Sequence, residues 1–321
     1  MILNKVNAIN GKVIEMSESY VFYQGEIVEE KKVSISIRCK AFNYGLGCFE
    51  GIRAYWDEEK QELYGFRLME HYERLLQSCK TLHMTIPYTP EELCRHTVEL
   101  LKKNQFKTTV YIRPVVYKGS EEIYPTLLDD DNRILIYCQP MGKFSGKESF
   151  RAAISSWRRI ADTMLPPRTK ATAAYLNSGL ASLEALQNGF DEAIFLTDAG
   201  YVCEGPGENI FMVKKGKLIT PSPSDDILEG ITRDTVMTLA REELGMEVVE
   251  RSIRRSELYS ADEVFFSGTA MEVTPVVEID RRAIGTGKPG EICKNIKDLF
   301  FGLTTGNNKK YAHFCTPVYK G

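Results

Sequence analysis

Midway along the chain, Met141-Gly142-Lys143-Phe144-Ser145-Gly146-Lys147 joins two glycines to small polar residues and separates two blocks, each mixing strand and helix patterns. No other feature constrains the fold as much. A chain of 321 residues has a prior of two domains at ~150 residues each. The break supplies the boundary: a first unit over 1–138, a connecting segment over 139–149, and a second unit over 150–321. In neither block do strands and helices alternate as strict βα repeats. The pattern therefore predicts two α+β units with a mixed sheet or barrel.

Within the first block, Tyr20 to Val28 reads as two short strands around Gly25, and Leu63 to Phe66 as another strand. Leu75, Leu76, Cys79 and Leu82 recur at helical spacing between His71 and His83. Pro90-Glu91-Glu92 opens a helix that runs to Asn104. Thr108 to Tyr117 and Ile134 to Gln139 are β-rich. The second block predicts strands over Ala152–Trp157, Ala193–Thr197 and Asp262–Phe266, with a hairpin turning at Lys214-Lys215-Gly216. Helices are expected from Asn177 to Asn188, from Gly230 to Gly245 and from Gly290 to Gly302.

Charge and composition remove several functions. Forty-one basic against 44 acidic residues leave a net charge of -3, so no broad basic field exists to hold nucleic acid. No window approaches the ~18 consecutive apolar residues of a membrane span. Met1 to Ser17 carries no apolar leader core, which predicts a soluble cytoplasmic protein. The eight cysteines form no C-x-x-C pair, and the four histidines form no H-E-x-x-H, so the chemistry expected here uses no metal. Scattered thiols at apolar positions such as Cys79 and Cys138 read as small core residues of a reducing compartment.

A few residues could carry chemistry. Lys170 lies among small neighbours in Arg168-Thr169-Lys170-Ala171-Thr172-Ala173-Ala174. It is either a surface lysine or a desolvated amine able to add to a carbonyl. Glu204, ahead of Gly205-Pro206-Gly207, is either a solvated hairpin acid or a buried carboxylate that holds a proton on a ring nitrogen. Gly230-Ile231-Thr232 opens a helix whose free N–H groups suit an anion, and Ser267-Gly268-Thr269-Ala270 is a small-residue turn that could form a second anion nest. Arg74 lies on a helix. Tyr111 and Arg113 share one face of a strand, where hydroxyl and guanidinium could meet a carboxylate, unless that face is simply a polar exterior.

Taken in order, seven segments resemble the branched-chain aminotransferase group of the class IV pyridoxal-phosphate enzymes, over roughly Tyr20 to Gly306. They are Tyr44-Gly45-Leu46-Gly47-Cys48-Phe49-Glu50-Gly51-Ile52-Arg53, His71-Tyr72-Glu73-Arg74-Leu75, Tyr111-Ile112-Arg113-Pro114, Lys170 with Tyr175-Leu176, Glu204-Gly205-Pro206-Gly207-Glu208-Asn209, Gly230-Ile231-Thr232-Arg233-Asp234, and Ser267-Gly268-Thr269-Ala270. The resemblance implies fold type IV, with a smaller N-terminal α+β domain and a larger C-terminal domain around a pseudo-barrel sheet. It implies pyridoxal 5'-phosphate as cofactor, in Schiff-base linkage to Lys170, and transfer of the amino group of leucine, isoleucine or valine to 2-oxoglutarate in amino-acid biosynthesis. Lys170 would also move the substrate proton. Glu204 would pair with the pyridine nitrogen, and Tyr175 would hydrogen-bond the ring's phenolic oxygen. Arg74, Ile231, Thr232 and Thr269 would hold the phosphate, and Leu228 would pack on the ring.

The same resemblance gives Tyr111 and the Thr269-Ala270 backbone to the substrate α-carboxylate. Phe49, Tyr44 and Arg53 go to the substrate pocket, with Tyr44 reaching in from the partner of a homodimer, and Arg113 to the second carboxylate of glutamate. Met141 and Phe144 occupy places where bacterial relatives often carry Trp and Tyr as pocket walls. The first ~17 residues extend beyond the pattern. Other readings compatible with these residues are a D-amino-acid aminotransferase or an aminodeoxychorismate lyase of the same fold. A non-catalytic anion-binding module built on Thr232 and Thr269 would need neither Lys170 nor Glu204.

Overall fold

The computed structural model describes residues 19–142 and 146–320. In the first half the strands are β1 (Tyr20–Tyr23), β2 (Glu26–Glu29), β3 (Gly47–Phe49), β4 (Ile52–Asp57), β5 (Glu62–Phe66), β6 (Val110–Lys118) and β7 (Asn132–Pro140), and the helices are α1 (Lys40–Tyr44), α2 (Leu68–Thr81) and α3 (Pro90–Asn104). The second half holds strands β8 (Phe150–Arg158), β9 (Glu192–Leu196), β10 (Asn209–Lys214), β11 (Lys217–Thr220), β12 (Val248–Glu250), β13 (Glu263–Gly268), β14 (Glu272–Ile279), β15 (Arg282–Ala283) and β16 (Cys315–Pro317). Its helices are α4 (Tyr175–Gln187), α5 (Ile231–Glu242), α6 (Arg255–Leu258) and α7 (Glu291–Leu303).

Two mixed α+β layers result, as expected. The first sheet runs β16-β5-β4-β6-β7-β1-β2 with β3 also paired to β6, all antiparallel. One face of it buries Ile52, Leu63, Ile112, Val116 and Ile136 against Tyr72, Leu75, Leu93 and Leu101 of α2 and α3. The start of α3 falls where Pro90 predicts it, because Thr89 and Glu92 cap one another: the Glu92 N–H donates to Thr89 Oγ1 at 3.2 Å and the Thr89 N–H to Glu92 Oε2 at 2.9 Å.

The second sheet runs β12-β11-β10-β13-β14-β8-β9, with parallel pairing at β11–β12, β14–β8 and β8–β9. Its two edges are bridged by residues 201–204. The Cys203 N–H donates to Phe195 O on β9, and the Val202 N–H to Ile253 O just beyond β12, at 2.9 and 2.8 Å. That seam curls the sheet toward the pseudo-barrel the resemblance implies and fixes Glu204 at its end.

Three features depart from the expected pattern. Strand β14 contains Pro275, which reads as a strand breaker. It is tolerated because the ladder to β8 begins only at Val276. Strands β3 and β4 are split by Glu50-Gly51 opposite Pro114 of β6, whose carbonyl accepts from the Glu50 N–H at 2.9 Å. The chain also returns at its end to the first sheet: β16 pairs with β5, and Tyr55 and Phe66 of that sheet pack with Phe300 and Phe314 in a core shared with α5 and α7. Among the described residues no helix is long and apolar enough to cross a membrane, and no His, Cys, Asp and Glu side chains gather as a metal site.

Candidate active site

Where the two sheets meet, β3 carries the second half's lysine loop as a partner. The Phe49 N–H donates to Lys170 O at 3.1 Å, Cys48 bridges Ala171, and the Lys170 N–H donates to Ser78 Oγ of α2 at 3.2 Å. With its backbone held on both sides, Lys170 directs Nζ to the Tyr175 hydroxyl at 3.0 Å. The Phe49 ring lies 5.4 Å from Nζ and 4.8 Å from the Tyr175 ring. Tyr175 opens α4 two residues before the expected start at Asn177, directly after the short 3-10 turn over 172–174.

One cavity takes in Lys170, Tyr175, Arg74, Glu204, Leu228, Ile231, Thr232 and Thr269. These are the residues assigned from sequence to catalysis and to the cofactor. The cavity has a distinct polar end at Glu204, which is 3% exposed. Arg159 Nη2 donates to Glu204 Oε1 at 2.9 Å, while Asn209 Nδ2 and the Leu228 N–H donate to Oε2 at 3.1 and 3.0 Å. Burial pushes the Glu204 carboxyl above its ordinary value, and Arg159 opposes that shift. Asn209 Nδ2 also donates to Leu228 O at 2.8 Å, and Gly230 leaves room for the amide, since a Cβ there would collide with Oδ1.

The segment from Leu228 to Thr232 leads away from Glu204 to a cationic end. There Arg74 Nη1 donates to Glu229 O at 2.8 Å beside the first turn of α5. The guanidinium is aimed by Glu50, which is fully buried and accepts from Arg74 Nε and Nη2 at 2.7 and 2.8 Å. His71 Nδ1 also lies 2.8 Å from Glu50. Burial alone would raise the Glu50 carboxyl, but Arg74 and His71 outweigh it and hold it well below the carboxylate range. Burial lowers the His71 pKa, so a neutral ring donates its Nδ1 proton to Glu50. An acid-anchored arginine, a helix start with free N–H groups and the Thr232 hydroxyl make a binding place for an anion of phosphate type.

On the first sheet, β6 presents Tyr111 and Arg113 on one face, as period two requires. Arg113 Nη2 donates to the Tyr111 hydroxyl at 2.8 Å, and its guanidinium lies 4.2 Å over the Phe49 ring. Gly51 is required here, since a Cβ would overlap the Tyr111 hydroxyl. Thr269 Oγ1 donates to Gly51 O at 2.9 Å, which ties the turn with Ala270 to this edge.

Other expected residues stand elsewhere. Arg53 is no open substrate ligand: it is 3% exposed, and its guanidinium is used by Glu272 and by the carbonyls of Thr269, Ala270, Met141 and Gly142. Its alternation on β4 points it to the second sheet, where carbonyls converge. Tyr44 lies at the end of α1, 37% exposed, and is not part of the Lys170 cavity. Met141 begins the connecting segment, its N–H bonded to Thr109 O at 3.0 Å; Phe144 lies outside the described residues. Sequence reasoning missed Arg159, Asn209, Glu208 and Ser267, all of which line the cavity. Only the last three sit inside quoted motifs and could have been found.

Residues 47–279 match the family model for amino-transferase class IV. A "Probable branched-chain-amino-acid aminotransferase" of Aquifex aeolicus (strain VF5) is 49% identical over 304 residues, covering 94% of this chain and 98% of that protein. Among solved structures, branched-chain aminotransferase from Thermoproteus uzoniensis with norvaline has a TM-score of 0.90 at 45% identity, covering 94% of this chain and 100% of that one. Branched-chain amino acid aminotransferase from Thermobaculum terrenum in its PLP form has a TM-score of 0.91 at 40% identity, with 95% and 99% covered.

Proposed function

This chain belongs to the class IV aminotransferase family, and on that premise we propose that it transfers the amino group of branched-chain L-amino acids to 2-oxoglutarate with pyridoxal 5'-phosphate held on Lys170. One observation carries the reading: Lys170 Nζ stands 3.0 Å from the Tyr175 hydroxyl in a cavity with a buried carboxylate, Glu204, and a glutamate-anchored arginine, Arg74. That donor set suits a ring with a basic nitrogen and an anionic phosphate. The buried Ser267 Oγ and Arg159 Nε lack protein partners there, in keeping with a cavity made to receive a polar group.

When bound, the cofactor supplies an electron sink for the pair left at the substrate Cα after its proton departs. The protein does the rest. Lys170 would anchor the cofactor and, once freed by the incoming amine, would take the proton from the substrate Cα and deliver it to the cofactor carbon. Tyr175 would hold the ring oxygen, and Glu204, whose charged form Arg159 favours against burial, would keep the ring nitrogen protonated. Arg74, Thr232 and the N–H groups of Ile231 and Thr232 fix the phosphate, with Thr269 beside them, and Leu228 packs on the ring. Tyr111 and the Thr269-Ala270 backbone take the α-carboxylate. Phe49 gives the apolar wall for a branched side chain, and Arg113 meets the second carboxylate of glutamate, which explains how one pocket accepts both partners.

We also assign a homodimer. Residues 35–44 are tied to 120–129 by Lys40 with Asp129 and by Arg38 with Glu121, at 2.7 and 2.8 Å. These neighbouring segments expose Ile37, Phe42, Tyr44, Ile123, Tyr124 and Leu128, an apolar area of the kind that a second subunit covers. Tyr44 would then enter the partner's pocket. The segment over 139–149 is assigned as the connection between a small domain over 1–138 and a large domain over 150–321. Rapid-mixing assays with L-leucine, D-alanine and aminodeoxychorismate test the function: only L-leucine should convert the bound cofactor, and conversion by D-alanine alone would overturn the substrate class.

A further inference from the structure

Two segments distant from it in sequence, 141–142 and 269–272, converge on the guanidinium of Arg53. Nη1 pairs with Glu272 at 2.9 Å and lies 3.5 Å from both the Thr269 and Ala270 carbonyls; Nη2 donates to Met141 O at 3.1 Å and to Gly142 O. The side chain is 3% exposed, and its Nε lacks a partner, so Arg53 is spent on backbone and cannot itself bind substrate. Its partners are telling. Thr269, Ala270 and Met271 form the loop between β13 and β14, and Glu272, which closes it, has φ of +54°, a conformation costly for a residue with a side chain.

In a planar trans peptide the carbonyl and the following N–H point in opposite directions. With the Thr269 and Ala270 carbonyls turned to Arg53, the N–H groups of Ala270 and Met271 face away from it. A cation at the carbonyl end also polarises each peptide and strengthens its N–H as a donor to an anion. We propose that Arg53 is a positioning residue for carboxylate recognition: it orients the peptides of the 269–271 loop so that their N–H groups receive the α-carboxylate, and it fixes the first residues of the connecting segment to the same point. The inference rests on the aminotransferase reading above.

The test uses holoenzyme and an unreactive carboxylic acid, 4-methylpentanoate, titrated through its perturbation of the bound-cofactor absorbance. Arg53→Met removes the fork. Arg53→Lys keeps a charge for Glu272 but cannot span both the loop and the connecting segment. Both variants should bind 4-methylpentanoate at least tenfold more weakly, with KM for amino acid and for 2-oxo acid raised together, kcat changed less than threefold and the pyridoxal-phosphate dissociation constant unchanged. Probe affinity within twofold of wild type in either variant would show that Arg53 supports the fold only, and loss of the cofactor band in both would overturn the proposal in the same way. Absence of a probe-sensitive band in the unmodified protein would instead refute the aminotransferase reading itself.

Discussion

Arg113→Met separates the two substrates of the proposed reaction. Arg113 spends one N–H on the Tyr111 hydroxyl and lays its guanidinium 4.2 Å over Phe49, while its Nε has no protein partner. The remaining donors are free for the far carboxylate of glutamate, and methionine keeps much of the stem volume without them. A carboxylate brought out of water without its cation loses ~2–4 kcal/mol of transition-state binding, or roughly 30- to 900-fold at 1.36 kcal/mol per decade. Leucine has no second carboxylate. It should suffer only the lost stacking of cation on ring, about 0.5–1 kcal/mol, or roughly two- to fivefold. Single-turnover absorbance changes measure each half-reaction separately. Equal losses in both would place Arg113 at the α-carboxylate or in the fold, and no loss in either would remove it from the pocket.

Glu204→Gln should retain the cofactor but lose at least about tenfold in turnover, because a charged hydrogen bond of ~1.5–3 kcal/mol is removed from the ring nitrogen; wild-type kcat in steady-state assays would contradict that role. Glu50→Gln should weaken pyridoxal-phosphate binding by about an order of magnitude, read by equilibrium titration, since a buried charge-assisted bond that aims Arg74 is lost. The same carboxylate predicts an acid limb of stability. Its pKa is held below the ordinary 4.5 in the folded protein, so its contribution is complete above about 4.5 and disappears as pH falls from there through the folded value. Denaturant midpoints of Glu50→Gln should therefore depend less on pH below 4.5 than those of wild type, and parallel curves would refute the linkage.

Local signals made much of this fold readable. The α3 start is written in Thr89-Pro90-Glu91-Glu92, and the hairpin between β10 and β11 in Lys215-Gly216, whose φ values of 50° and 75° suit the turn. The cavity residues were legible as a set because chemistry needs them in fixed roles, although no single motif compelled it. What escaped depends on distance along the chain. Arg159 meets Glu204 only because the 201–204 seam brings the end of β9 beside the loop after β8. Glu50 carries no local signal of burial, since most glutamates are exposed; it is buried at the kink opposite Pro114. The pairing of β16 with β5 joins Cys315 to Phe66 across most of the chain, and no pattern in Cys315-Thr316-Pro317 announces it. Arg53 shows a different limit: the direction of its fork depends on carbonyls of the 269–271 loop, far away in sequence.

The central claim is that Lys170 carries the cofactor. Borohydride reduction of the purified, pyridoxal-phosphate-loaded protein, followed by peptide mass spectrometry, tests it most directly, because reduction fixes the carbon–nitrogen bond where it stands. The account predicts a single phosphopyridoxyl adduct on Lys170 and loss of both adduct and visible band in Lys170→Ala. An adduct on a different lysine, or a protein that takes up no label while folded, would contradict it.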